Sequence, residues 1–375
     1  MQTWAIVVGI NVYPDQAKQN PLHGAVADAC DFADWALDPN GGNVRPDRLY
    51  FWTYPWPANP TGRLQAYLQG QPPLWDHAEE GSALPNHARP PKAFEITTTI
   101  EAVGRSERGR AKEDSDTETR RVYVFLAGHG IRAKTGDRTD ETCYLAGDFR
   151  PVNSNLAGGL VPCDSFRRAL LNGRYDEAIV FTDCCRSQTA RLTLQAQQVS
   201  DYSGVPTEPF SLAFAAQDNM LAYETTTEPV RGAFSSALMR GLRTHRVAAT
   251  GELHAAPLRQ YVIDNIKDFT ASGQVPNMSF QPDPDGPLIV AGGLGPAVPP
   301  PPGRTVDVSA LAAGTQLILK GGDNQPVAGI PPLLITGATL KLPALVPGLY
   351  LLEVADDSTR YVMFKHPSME AIRVA

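Results

Sequence analysis

"EAIVFTDCCRS", residues 177–187, is an apolar run that stops at an acid, two adjacent cysteines, an arginine and a serine. Ile179, Val180 and Phe181 leave no polar alternate face, which is how a strand covered on both sides of a sheet reads. A second run of the same kind, "RVYVFLAGHG" (121–130), ends in His129 between Gly128 and Gly130. Working outward, strand-like runs recur at 4–10, 48–54, 211–216 and 287–290. Helix-period segments fill the intervals at 24–37, 91–103, 163–171, 232–245 and 256–269. In the first of these, Val26, Ala29, Ala33 and Leu37 form one apolar stripe. Strands alternating with helices imply an α/β three-layer sandwich around a mainly parallel sheet, spanning residues 1–292.

Residues 293–303 are a Gly/Pro linker, stiff where the prolines follow one another. Beyond it, short alternating runs such as "TQLILK" and "GLYLLEV" carry no helix pattern. Residues 304–375 are therefore expected to form a small all-β sandwich. Three polar or Pro/Gly-rich stretches interrupt the first region, at 55–90, 104–121 and 186–210, and read as surface loops.

Charge and cysteine content narrow the class. With 33 basic against 40 acidic residues, the net charge is −7. That balance offers nothing to nucleic acid or to an anionic membrane. No apolar run approaches the length of a membrane span. The opening "MQTWAIVVGIN" lacks a basic leader and reads as a core strand. Five cysteines, an odd number without framework spacing, fit a reducing compartment, so a cytoplasmic location is expected. Cys30, Cys143 and Cys163 read as small buried hydrophobes.

In open parallel sheets, function collects at the carboxyl ends of strands. Here two strands deliver reactive groups there: His129 on one, and Asp183, Cys184 and Cys185 on the other. A cysteine attacks an acyl carbon as the thiolate and needs a neighbouring base, most often an imidazole. The glycines flanking His129 permit close approach of a substrate and leave the Gly130 amide as a candidate oxyanion donor. Residues i and i+2 of a strand share a side, so Asp183 and Cys185 point together and Cys184 points away. Cys185 is therefore the candidate nucleophile. A metal site built on the cysteine pair lacks the further thiols or histidines of a tetrahedral set.

With these residues in place, the chain resembles the caspase-like cysteine peptidases, the caspase, metacaspase and paracaspase group, and especially their prokaryotic members. The resemblance rests on "PLHGAVADACDFADWAL" (21–37), "GHG" (128–130), "DCCRS" (183–187) and "AFAAQDNMLAYE…GAFSSALMRGL" (213–242), with His129 and Cys185 separated by 56 positions. It covers residues 1–292 and leaves the β-domain outside. Arg186 follows the cysteine as in caspases, where metacaspases usually carry histidine. The resemblance implies peptide-bond cleavage by a His129–Cys185 dyad, with the amides of Gly130 and Cys185 as the oxyanion hole. The aspartate-binding positions of caspases are matched by Asp28, Asp183 and Glu224. All three are acids here, which implies a preference for arginine or lysine before the scissile bond. No cofactor is required for this chemistry, although some metacaspases are activated by calcium. Prokaryotic relatives often serve as effectors in defence or cell death, gated by a partner protein; no residue here marks such a gate. The rival class is a catalytically silent scaffold of the same fold that binds partner proteins.

Self-processing is a further expectation. The loops at 104–121 and 186–210 carry Arg105, Arg108, Arg110, Arg120, Arg121 and Arg191. Arg191 stands where the resemblance places the inter-subunit linker. Exposed loops are where nicking concentrates.

The strand alternation makes a direct prediction about the two cysteines. Cys185→Ala should abolish turnover and remove the fastest iodoacetamide-reactive thiol. Cys184→Ala should keep most of the activity and lose roughly 1 kcal/mol of stability from its packing. The opposite ranking of the two variants would reverse the assignment.

Overall fold

The computed structural model describes residues 1–14, 21–60, 62–70, 89–99, 119–134, 140–150, 158–171, 175–187, 208–247, 250–282, 284–291, 305–321, 325–327, 330–343, 345, 348–366 and 372–373. The chain divides into two compact units, Met1–Gly293 and Leu294–Ala375.

The first unit is built on strands β1 (Gln2–Ile10), β2 (Leu49–Tyr54), β3 (Arg120–Ala127), β4 (Gly130–Lys134), β5 (Asp140–Leu145), β6 (Leu160–Pro162), β7 (Glu177–Asp183), β8 (Phe210–Phe214), β9 (Glu252–His254), β10 (Asn277–Gln281) and β11 (Leu288–Ala291). Its helices are α1 (Ala25–Ala36), α2 (Gly62–Gly70), α3 (93–99), α4 (Cys163–Leu171), α5 (Ala233–Thr244) and α6 (Ala255–Asn265). The six-stranded central sheet runs β10-β8-β7-β3-β1-β2. All its pairs are parallel except the edge pair β10–β8. Antiparallel β4, β5 and β6 form a separate three-stranded sheet.

The two-sided apolar reading of the central strands is realised as two cores. Even-numbered side chains of β3 and β7 (Val122, Val124, Leu126, Ala178, Val180) join one, with Phe166 and Leu170 of α4. Odd-numbered ones (Tyr123, Phe125, Ile179, Phe181) join the other, with α1, α5 and α6. Register between β3 and β7 is set at its start by a charged pair. Arg121 is buried and donates from Nε (2.6 Å) to Glu177, its partner across the ladder. A one-residue slip would take that guanidinium off Glu177 and exchange the two cores.

Close helix packing also depends on Gly9. A Cβ there would stand 2.6 Å from both the Ala25 carbonyl oxygen and the Ala29 Cβ, so only glycine lets the start of α1 rest on β1.

Several sequence expectations are revised. The run at 287–290 pairs antiparallel with β9, outside the central sheet. The edge position is taken by β10, whose polar "NMSFQ" carries no buried-strand signature. Within the supposed surface excursion at 55–90, residues 62–70 form α2, which buries only Leu64 and Tyr67, too narrow a stripe to stand out. Arg120 and Arg121 are not loop residues open to nicking: they begin β3, and Arg121 is buried in the pair described above. Arg105, Arg108, Arg110 and Arg191 lie outside the described residues.

The second unit contains β12 (Thr305–Asp307), β13 (Gln316–Gly321), β14 (Leu333–Leu334), β15 (Thr339–Lys341), β16 (Gly348–Val354), β17 (Asp357–His366) and β18 (Ile372–Arg373). These form a three-stranded sheet (β15-β12-β18) and a four-stranded one (β14-β13-β16-β17). Val306, Leu317, Leu319, Leu352 and Phe364 belong to the core they share, the packing of a small β-sandwich.

Phe32 offers a test of how far the first unit depends on the contact between α1 and the sheet. Its fully buried ring stacks on Phe125 with centroids 4.6 Å apart and meets Phe181 edge-on at 5.9 Å. Phe32→Ala should cost about 3–5 kcal/mol, read as a lowered urea midpoint. A loss below about 1 kcal/mol would mean the helix is held elsewhere.

Candidate active site

The ladder between β3 and β7 continues past the last paired residues. Gly128 N–H donates to the Asp183 carbonyl (3.1 Å), and Arg132 N–H donates to the Ser187 carbonyl (3.1 Å). His129 and Gly130 on one chain segment, and Cys184 and Cys185 on the other, lie between these two backbone bonds. The separation of 56 positions is thus closed by sheet register.

Within that bracket the cysteines diverge as strand alternation demands. Cys184 is 1% exposed and belongs to the core on the α4 side. Cys185 is partly exposed. Its sulfur accepts the Ala222 amide at 3.4 Å, and the Ala222 carbonyl oxygen lies 3.6 Å away. Gly130 has no room for a side chain: a Cβ would stand 2.3 Å from Cys184 Sγ and 2.6 Å from the Cys185 carbonyl oxygen. Burial pushes the Cys185 thiol above its ordinary range, with Asp183 adding to the rise and the Ala222 amide opposing it. The resting Cys185 side chain is accordingly a thiol, which would need a base to react.

The three acids also meet. Asp28, in the first turn of α1, is buried and accepts a hydrogen bond from Arg231 Nε and one from Gly232 N–H (2.7 Å). Asp183 accepts from Ser235 N–H (3.0 Å) and Ser235 Oγ (2.6 Å) at the start of α5. Between them lies Gly232, where a Cβ would stand 2.1 Å from Asp183 Oδ2 and 2.9 Å from Asp28 Oδ2. Glu224 forms a backbone bridge with that same Gly232. One of its carboxylate oxygens accepts the amides of His23 (2.7 Å) and Gly24 (2.6 Å), which tie down the entrance to α1.

Electrostatics follow from this crowding. Burial raises Asp183 to about 6, with Ser235 opposing and Glu224 adding to the rise. Burial raises Asp28 to about 8, opposed by Arg231 and reinforced by Asp183. The guanidinium of Arg231 reaches Asp31 as well (2.9 Å), and Asp31 in turn accepts from Arg243 (2.5 Å). The cluster therefore carries a cation of its own. A lone arginine before a glycine gave no hint of this in the sequence. Ser235 and Ala222 carry no sequence signal either, since a serine in a helix and an alanine in a loop form no pattern.

The comparisons with known proteins meet these residues directly. Residues 86–283, more than half of the chain, match the family described as the caspase domain of peptidase family C14. The chain belongs to the caspase-domain family. The matched range holds His129, Asp183, Cys185 and Glu224; Asp28 precedes it. A probable protease from a Desulfuromonadales bacterium is 27% identical over 248 residues, which cover 65% of this chain and 26% of that relative. The match thus spans about a quarter of the relative's length. Among solved structures, caspase-1 from Spodoptera frugiperda aligns with 74% of this chain and 86% of its own at 15% identity and a TM-score of 0.42. Among the described residues, no group of three or more His, Cys, Asp or Glu side chains is disposed to hold a metal ion. Nor is any described helix long and apolar enough to cross a membrane.

Asp183 yields a pH prediction whose sign is fixed by its raised carboxyl. The unfolded chain releases that proton near 4, whereas the folded chain holds it until about 6. Its contribution to stability is thus fully present below pH 4 and lost as pH rises to 6, a change of roughly 3 kcal/mol. Asp183→Asn lacks this loss. Urea midpoints at pH 4.5 and 7.5 should therefore shift in favour of the variant as pH rises. A difference independent of pH would show that Asp183 is ionised throughout.

Proposed function

We propose that the chain is a cysteine endopeptidase that cleaves after arginine, and more slowly after lysine, through His129 and Cys185. The observation that carries this reading is the pair of backbone bonds, Gly128 to Asp183 and Arg132 to Ser187, that bracket the histidine and the cysteine at adjoining strand ends.

In the proposed reaction His129 takes the proton from Cys185 as the sulfur bonds to the scissile carbonyl carbon. The raised thiol makes that transfer part of the attack. The carbonyl electrons move to oxygen, where the amides of Gly130 and Cys185 receive the developing charge. On collapse the carbon–nitrogen bond breaks and the amine leaves with the proton from His129. Water, deprotonated by the same imidazole, then releases the acyl group and restores the thiol. No metal or organic cofactor enters any step.

Specificity follows from charge. Asp28, Asp183 and Glu224 converge around Gly232, where Arg231 offsets part of their charge. An incoming guanidinium is always charged, and its planar fork serves two carboxylates at once; an ammonium satisfies fewer acceptors. An aspartate side chain would meet repulsion from the ionised acids of the cluster, Asp183 above all once pH exceeds about 6.

Cleavage of a diverse peptide library by the purified chain, with Cys185→Ala as control, tests this. Arginine should dominate before the cut, lysine should follow, and aspartate should be absent. Asp183→Asn should weaken cleavage after arginine by about 2–5 kcal/mol while Cys185 still alkylates. Cleavage after aspartate, or indifference to charge, would remove the acidic pocket. Cleavage unaffected by Cys185→Ala would remove the nucleophile, and an intact chain that cuts nothing would favour the scaffold.

A further inference from the structure

His129 lies in the short irregular link between β3 and β4, where no helix or long strand fixes its backbone. Both of its peptide groups are nevertheless held from outside. Its N–H donates to the hydroxyl of Tyr13 (2.9 Å), 116 positions earlier, and its carbonyl accepts from Leu145 N–H (2.9 Å). Tyr13 follows β1 and is 6% exposed. Its ring lies against the imidazole, with centroids 5.1 Å apart and planes at 40°. The same hydroxyl donates to the Leu145 carbonyl (3.2 Å), so one oxygen joins the histidine to the strand that holds its other peptide group.

The surroundings leave little freedom. Tyr144, fully buried on β5, donates from its hydroxyl to the Ala127 carbonyl (3.0 Å), two residues before His129. A Cβ on Gly128 would stand 2.5 Å from the Tyr13 hydroxyl and 2.9 Å from that of Tyr144. Two phenols thus press on the one residue between the end of β3 and His129. Burial pushes the Tyr13 phenol up, so its proton stays in place to bond the Leu145 carbonyl while the oxygen accepts from His129.

We propose that Tyr13 is a positioning residue for His129: its hydroxyl holds the histidine's backbone and its face sets the plane of the imidazole. This rests on the proposed His129–Cys185 chemistry, and the placement has a stated function there. A base must stand within hydrogen-bond reach of the sulfur and then of the leaving nitrogen. An error of about 1 Å in such a placement can cost on the order of 10²-fold in rate. The bonds of the Tyr13 hydroxyl run to His129 and Leu145, so it acts on the transfer of the proton and not on substrate affinity.

Tyr13→Phe isolates the hydroxyl, because the ring remains. With an arginyl aminocoumarin peptide as substrate, kcat should fall about 10–100-fold with KM within about twofold, and the iodoacetamide rate of Cys185 should fall toward that of His129→Ala. Backbone hydrogen exchange at His129 should accelerate, since its acceptor is gone. Tyr13→Leu should lower kcat no less. An unchanged kcat overturns the proposal. So does a parallel loss of kcat and affinity, or a circular-dichroism spectrum unlike the wild type, for either makes Tyr13 merely structural. His129→Ala and Cys185→Ala separate the two levels. Turnover surviving either one defeats the dyad itself, whereas inactive dyad variants beside a fully active Tyr13→Phe defeat only the role of Tyr13.

Discussion

The pairing of β3 with β7 is the constraint on which the rest of the first unit depends. Arg121 and Glu177 close it at one end, and Gly128 N–H to the Asp183 carbonyl closes it at the other. Register in a sheet is quantised: a shift by one residue would turn Val180 and Cys184 toward α1, and Phe181 and Asp183 toward α4. The same arithmetic that keeps two apolar cores apart therefore decides which cysteine faces solvent and which side chains face the start of α1. Folding energy and site geometry share one set of hydrogen bonds.

Around that ladder, the acid cluster illustrates how a fold accommodates groups that repel. Asp28 and Asp183 come from different elements and meet across a residue without a side chain, Gly232. Each is satisfied separately, one by a guanidinium and a backbone amide, the other by the amide and hydroxyl of Ser235. The segment from Arg231 to Ser235 thus supplies a cation, an amide, an empty volume and a hydroxyl in five consecutive positions. Gly24, before α1, is pressed against the same segment, a Cβ there standing 2.7 Å from the Arg231 Cα. Charge balance and helix placement are coupled at this contact.

What could be read from the residues alone follows their periodicity. The central strands were legible because burial on both faces leaves uninterrupted apolar runs, and the contrast between Cys184 and Cys185 follows from a period of two. The antiparallel β4–β6 sheet was not legible: "GIRAK" and "DETCYL" mix charge with apolar residues, and their partners are set by tertiary contact. Arg121 misled for the opposite reason. It ends a polar run and looks solvated, yet a carboxylate across the ladder lets it be buried. Tyr13 and Arg231 sit in segments without periodicity, so their partners, more than a hundred positions away, leave no local mark.

Asp183 ends β7, and Cys185 follows it with a single residue, Cys184, between them. A chain advances at most about 3.3–3.6 Å per residue, so the Cα atoms that carry carboxylate and sulfur lie within roughly 7 Å of each other. Neither a loop insertion elsewhere nor a domain rotation can lengthen that interval, because two consecutive peptide units span it. The end of β7 is in effect a measuring rod: under the proposed chemistry, whatever enters with its carbonyl at Cys185 meets the acid within that short reach. On the proposed reading, selectivity would then be retuned by replacing the side chain at 183 and not by lengthening the reach.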